Sequence, residues 1–543
     1  MTMQQDVWRA MAAGVLALAA HGAQAMTDAE LAQRLQARFA GDRTGLCVAA
    51  AVIDGAQVAR AHVCANPRAD GGPGDDAAFE IGSVTKTMTA ALVADLIQSG
   101  RWSLDDPIAK HLPPGTVVPR QGERQILVRD LVTHSSGLPA LPAHMRATDP
   151  ARPYANLSER DVLDSLAEAK LAAPIGTQTA YSNFGMMLVS LAVARTYGQD
   201  YETALRERVL APLGMRGAYI TQAPAGIRPA VGHLPSGVAT PAWTIATNLA
   251  GVGMVRATLA DMQRYAQAEL GLVDTPLKAT LQLTQQPVAH GYGINWMRRN
   301  LEGRDLLLHE GGTGGFSSLV VLDPQHGRGV VLLADTALSD MGGLSDIGLA
   351  LLGLAVPAGT PRLAQPVPAS LREQLPGDYL LGALPVTIRA EGERLILAPQ
   401  GQRPVELHYD DHGTLYVNEA SALLLPAIEA GKIDRFTWRQ GGGLVEGVRV
   451  GSTRSYTATN PRWRDWAGEY DLGSGFRIAV FERDGKLFIQ GSGQVAIEAS
   501  EAGDDRIEVA AVGAQLQFRR DASGKVVGMT LKQRGAVLEG VRK

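Results

Sequence analysis

Three short constellations hold residue types that could do covalent chemistry. The first is Ser83-Val84-Thr85-Lys86, the only Ser-x-x-Lys in the chain. On a helix, positions i and i+3 share a face, so the Lys86 amine can reach the Ser83 hydroxyl. A serine hydroxyl is a weak nucleophile and needs an adjacent base. A lysine becomes one when burial favours its neutral form. Gly82 permits a tight approach of strand to helix, and the helix N-terminus favours an oxyanion there. Taken alone, the pattern reads more readily as an N-capping serine and a solvated lysine. The second is Tyr181-Ser182-Asn183. A tyrosine beside cationic groups can have a lowered pKa and act as a base. The Asn183 amide offers both a donor and an acceptor to a substrate amide. A surface tyrosine with an Asn turn is the alternative. The third is His309-Glu310-Gly311-Gly312-Thr313-Gly314-Gly315. Adjacent glycines let a substrate backbone approach a strand edge, and the histidine can exchange a proton or supply positive potential. A Gly-rich turn with a solvated histidine reads equally well from these residues.

Elements must bring these segments together. Helical periodicity over 83–99 places Met88, Leu92, Leu96 and Ile97 on one face. Residues 46–65 read as two strands about the turn Asp54-Gly55-Ala56-Gln57, which sets Cys47 opposite Cys64. Such neighbours can form a disulfide if their side chains share a face; two buried free thiols are the alternative. Thr27-Asp28-Ala29-Glu30 is a capping box opening a helix. Strand-like runs return at 306–308, 317–322 and 329–333, and 344–354 is an apolar helix candidate. Strands near both ends of a helical middle imply one α+β domain whose sheet joins distant parts of the chain.

Composition excludes several classes. The formal charge is −4 on 543 residues, with aromatics at 5%. That argues against nucleic acid or an anionic membrane surface as the main partner. Two cysteines exclude a disulfide-dense scaffold and a multi-cysteine metal site. No His-Glu-x-x-His or Cys-x-x-Cys occurs, so no metal or cofactor is expected. There is no Gly-x-Ser-x-Gly elbow either. The apolar run 10–20 followed by Ala23-Gln24-Ala25 reads as a secretory signal over 1–25. The expected mature protein is exported, periplasmic or secreted, without a membrane span, where a 47–64 disulfide is permitted.

The Pro-rich stretch 355–368 reads as a linker, and the chain beyond it contains a repeat. Leu375-Pro376-Gly377-Asp378-Tyr379 matches Trp466-Ala467-Gly468-Glu469-Tyr470, and 444–449 matches 537–542. The near-constant offset and short alternating runs predict two small antiparallel β units. The expected organisation is a catalytic domain at 26–359, a linker at 360–374, and β-barrels at 375–452 and 461–543.

Ser-x-x-Lys, Tyr-x-Asn and His-x-Gly in this order resemble the serine β-lactamase and penicillin-binding clan. The closest pattern is its class C, D-aminopeptidase and D,D-carboxypeptidase branch. Flanking segments at 79–87, 128–139, 181–185, 211–215, 291–296 and 330–335 also look like family sequence in family order. The resemblance implies a β-lactamase/transpeptidase-like fold, an antiparallel sheet flanked by helices with a helical region, followed by two lipocalin-like barrels. It implies Ser83 as acylated nucleophile, Lys86 and Tyr181 as base and acid, and Asn183, His309 and Gly311 as substrate-binding residues. The amides of Ser83 and Gly312 would form the oxyanion hole. His134 reads as a structural loop residue near the site. The third motif departs from the usual Lys-Thr-Gly of the β-lactamases, which ranks D-amino-acid peptides or amides first, esters second and β-lactams third. A non-catalytic cell-wall or ligand-binding protein is the competing class, against which the intact Ser83, Lys86, Tyr181 and Asn183 set argues.

Overall fold

The computed structural model describes residues 26–68, 71–419, 422–429, 432–440, 443–452, 458–473, 476–483, 485–491, 496–509, 512–533 and 536–543. The expected leader at 1–25 lies outside them. Helix α1 (Asp28–Phe39) starts at the Thr27–Glu30 capping box and buries Leu31, Leu35 and Phe39. Strands β1 (Cys47–Asp54) and β2 (Gln57–Cys64) form the expected hairpin. Their register pairs Cys47 with Cys64, and a disulfide joins the two.

The sheet is completed from far along the chain, by β3 (Met297–Leu301), β4 (Arg304–Gly312), β5 (Ser317–Asp323) and β6 (Arg328–Ala334). The antiparallel order is β3-β4-β5-β6-β1-β2. Alternation along β1 divides two cores. Ala49, Ala51 and Ile53 face the helical region, whereas Val48, Ala50 and Val52 pack with α1 and the 345–351 helix. Nearly every residue of β1, β5 and β6 is buried, which explains why these strands read as continuous apolar runs rather than alternating ones.

The helix after Ser83, α2 (Thr85–Gln98), differs from its expected one-sided form. It is buried without interruption from Thr85 to Ala94, Lys86 included. The cause is its central position: α3 (Asn183–Tyr197), the 247–252 turn and α5 (Lys278–Gln285) all pack on it, with α4 (Leu259–Glu269) behind. No helix among the described residues is long and apolar enough to cross a membrane.

The C-terminal part forms two antiparallel eight-stranded barrels. Strands β7 (Gly377–Leu381), β8 (Leu384–Glu391), β9 (Arg394–Pro399), β10 (Val405–Asp410), β11 (Leu415–Val417), β12 (Ala422–Glu429), β13 (Lys432–Gln440) and β14 (Gly443–Arg449) close through β10–β11 pairing. The second barrel runs from Gly468–Asp471 to Ala536–Arg542. The repeated motifs have a shared physical cause. Tyr379 and Tyr470 are fully buried, and each hydroxyl donates to the carbonyl four residues back, Leu375 and Trp466, at 2.7 Å. Arg449 and Arg542 lie over those rings at 4.8 and 6.0 Å and donate to neighbouring carbonyls of Pro376 and Asp465. Gly377 leaves room for the Arg449 guanidinium, which a Cβ there would displace.

Candidate active site

Ser83 is set by two backbones in close approach. It lies in the turn Gly82–Val84 that feeds α2, with Gly82 at φ +49°. A Cβ on Gly82 would sit 2.6 Å from the Gly312 nitrogen, so the Ser83 turn presses directly on the end of β4. A Cβ on Gly311 would collide with the Ile81 carbonyl oxygen, which also accepts from Ser318 Oγ at 2.7 Å. Gly311 thus makes room for the protein's own Ile81–Gly82 turn, a constraint separate from the expected approach of a substrate backbone. Gly314 and Gly315 likewise admit Trp243 and Thr240.

Lys86 is fully buried, and loss of solvation holds its amine well below the usual lysine range. Its Nζ lies 2.8 Å from Ser83 Oγ, 2.9 Å from Asn183 Oδ1 and 2.6 Å from the Val252 carbonyl oxygen. A neutral amine has two hydrogens and one lone pair. Asn183 Oδ1 and the Val252 carbonyl can only accept, so they take the hydrogens. The lone pair is left for the Ser83 hydroxyl. Ser83 itself is only half-buried and reachable.

Tyr181 comes from the loop before α3 and Asn183 is its first residue, with Ser182 as N-cap, accepting from the Gly185 N–H at 2.9 Å. The Tyr181 hydroxyl hydrogen-bonds to Ser83, and the ring centroid lies 4.9 Å from Lys86 Nζ. About 40% of the residue's surface remains exposed, at the ring, while its hydroxyl end points inward. Crowding of the hydroxyl raises its pKa above the usual phenol value. The direction is opposite to the expected lowering, because desolvation of the hydroxyl is the largest cause and outweighs its bond to Ser83. Tyr181 is a proton-bearing hydroxyl at neutral pH.

His134 holds Tyr181 in place. It adopts φ +56° and packs tilted against the Tyr181 ring, centroids 4.3 Å apart. Its Nδ1 accepts the Ser182 N–H at 3.3 Å, so Nε2 carries the hydrogen. Burial and Lys86 push His134 well below the usual histidine value.

His309 is also buried, and desolvation, reinforced by Lys86, pushes its pKa down to about 3. Nδ1 faces the Glu310 carbonyl at 2.8 Å and therefore holds the proton, which leaves Nε2 as an acceptor. The expected positive potential at this position is thus absent at neutral pH. At the end of β4, the Thr313 N–H is spent on Phe316. Antiparallel alternation turns the Gly312 N–H to the other edge, where β3 has already ended and the Ser83 turn sits. Ser83, Lys86, Tyr181, Asn183, His309, Gly311 and Gly312 therefore gather at one place.

Three contributors went unread in the sequence: the Val252 carbonyl, Tyr154, whose hydroxyl hydrogen-bonds to Asn183, and Trp243, edge-on to Tyr154 at 5.3 Å. Only the glycines at 251 and 253 flanking Val252 hinted at a close-packed turn.

A family model described as Beta-lactamase matches residues 29–355. The D-alanyl-D-alanine-carboxypeptidase/endopeptidase AmpH of Escherichia coli (strain K12) is 29% identical over 353 residues, 60% of this chain and 90% of that protein. Penicillin-binding protein 4 of Amycolatopsis lactamdurans is 28% identical over 278 residues, 47% of this chain and 71% of that protein. Among solved structures, a β-lactamase/D-alanine carboxypeptidase from Yersinia pestis complexed with citrate is 24% identical, covers 54% of this chain and 88% of its own, and superposes with a TM-score of 0.46.

Proposed function

This chain belongs to the Beta-lactamase family of serine hydrolases, and from that premise we propose that it cleaves amide bonds of peptides containing D-amino acids through an acyl-enzyme on Ser83. The observation that carries the reading is the Lys86 amine, 2.8 Å from Ser83 Oγ with its two hydrogens committed elsewhere. Ser83 Oγ attacks the substrate carbonyl carbon as its proton passes to the Lys86 lone pair. The Ser83 and Gly312 N–H groups face the oxygen that becomes negative; losing one such donor typically costs on the order of 10²–10³ in turnover. Tyr181, protonated at rest, hands its proton to the leaving amine and is replenished from Lys86. Water then attacks the ester, Lys86 again taking the proton, and Ser83 is restored. Asn183 orients the substrate amide.

The D-peptide assignment is supported by the carboxypeptidase/endopeptidase name of the Escherichia coli relative. Neutral His309 adds a preference within it. With no cation at the third motif, amide-terminated or internal bonds suit the site better than a free carboxylate, and esters follow for the same reason. Export is part of the proposal, supported by the leader-like N-terminus and the Cys47–Cys64 disulfide.

The test is a panel of D-alanyl-D-alanine peptides, D-amino-acid amides, p-nitrophenyl esters and benzylpenicillin, with Ser83→Ala as control. D-peptides or D-amides should give the highest kcat/KM, with nothing above background in the variant. Benzylpenicillin as the fastest substrate would overturn the ranking.

A further inference from the structure

A cavity of about 550 Å³ opens between the end of β4 and the first barrel. That volume falls within the roughly 300–1,000 Å³ of small-molecule sites. Gly312 and Thr313 form its floor, and Trp243 stands at one side. The opposite wall comes from the barrel: Tyr416 on β11, with Ala422 and Leu423 on β12. The cavity borders the reaction centre, because its lining residue Gly312 is the one that the Ser83 turn presses against.

The barrel wall is fixed in place. Arg43, from the first domain, bonds Asp410 of β10 at 3.0 Å and lies 3.4 Å over the Tyr416 ring. From β13, Arg439 donates to the Asp340 carbonyl at 2.9 Å. The lining is mainly apolar, with Trp243, Leu234, Met341, Tyr416 and Leu423 contributing.

We infer that this cavity is a substrate subsite built jointly by the catalytic domain and the first barrel, taking a bulky apolar substituent of the substrate. The inference rests on the acyl-transfer reading above. It makes the barrel a selector of substrates, by size and hydrophobicity, next to the reacting bond.

Two matched series test it. One is a set of dipeptide amides of D-Ala in which one position, then the other, is D-Ala, D-Leu or D-Phe. The second is p-nitrophenyl acetate against p-nitrophenyl phenylbutyrate. Filling an apolar pocket should raise kcat/KM by at least about tenfold for the bulky member at one position. Leu423→Trp, which fills the cavity from the barrel side, should remove that preference. Leu423→Ala, which enlarges it, should move the preference to a larger group, and serves if the tryptophan variant does not fold. Turnover without a size preference in both series, or a preference that both variants leave unchanged, would overturn the inference alone. Turnover of no member of either series would overturn the proposed function, and the inference with it.

Discussion

Lys86 should make the stability of the protein depend on pH in a way that one substitution abolishes. Its amine is fully buried and held well below the ordinary lysine value by desolvation. Between that lowered value and the ordinary one, the folded chain binds fewer protons here than the unfolded chain. Stability from this group therefore rises with pH across that window and levels off above the ordinary lysine value. The slope for one fully linked proton is about 1.4 kcal/mol per pH unit. Lys86→Met keeps the length of the stem and removes the titration. It also leaves the Val252 carbonyl, which accepts from Nζ at 2.6 Å, without a donor. That costs about 1–3 kcal/mol at every pH. The unfolding free energy of wild type minus that of the variant should accordingly rise with pH in that window, by up to about 1.4 kcal/mol per unit. Urea unfolding of both proteins at pH 7, 8 and 9 reads this directly, and other titrating groups cancel in the difference. Acyl transfer should fall by about 10²–10⁴ with loss of the base. A gap that stays constant with pH would mean an ordinary ammonium at position 86, and the assignment of Lys86 as base would be wrong.

Tyr181→Phe should leave the fold intact and lower kcat/KM for amides by about 10²–10⁴, with a smaller loss for p-nitrophenyl esters, whose leaving group needs no proton; equal losses on both would remove the acid role. Because the His309 pKa falls to about 3, the folded chain binds fewer protons there than the unfolded chain on the acid side of neutrality. Stability from this group is lost as pH falls from about 6.5 towards 3, at about 1.4 kcal/mol per unit, so His309→Gln should unfold less steeply with acid than wild type. Arg449→Lys should lower the stability of the first barrel while Ser83 acylation of small esters persists, because lysine cannot reproduce the guanidinium contacts to Pro376 and Ile433 carbonyls; unfolding curves followed beside esterase activity check this.

The residue order around Ser83, Tyr181 and His309 was legible because each motif combines a reactive type with a backbone constraint. The Cys47–Cys64 register could be counted from a single turn. The repeat at Tyr379 and Tyr470 was visible, although its cause, an arginine lying over a tyrosine, needed the closed barrels. Titration states were not legible. Residue types alone suggested a lowered Tyr181 and a positive potential at His309, and neither type shows how deeply its polar atoms sit. Desolvation is the largest cause in both, raising Tyr181 and lowering His309. The close approach that Gly311 permits to Ile81, 230 positions earlier in the chain, was likewise not legible. Contributions from the Val252 carbonyl and from the barrel wall leave no pattern in side-chain type at all.

The most direct test of the acyl-enzyme on Ser83 is the mass of the protein, acid-quenched during steady-state turnover of the best substrate in the panel and followed by peptide mapping. One acyl group per chain is expected, carried on the peptide containing Ser83 and absent from Ser83→Ala, which should not turn over. Continued turnover by Ser83→Ala, or an acyl group mapped to any other residue, would contradict it.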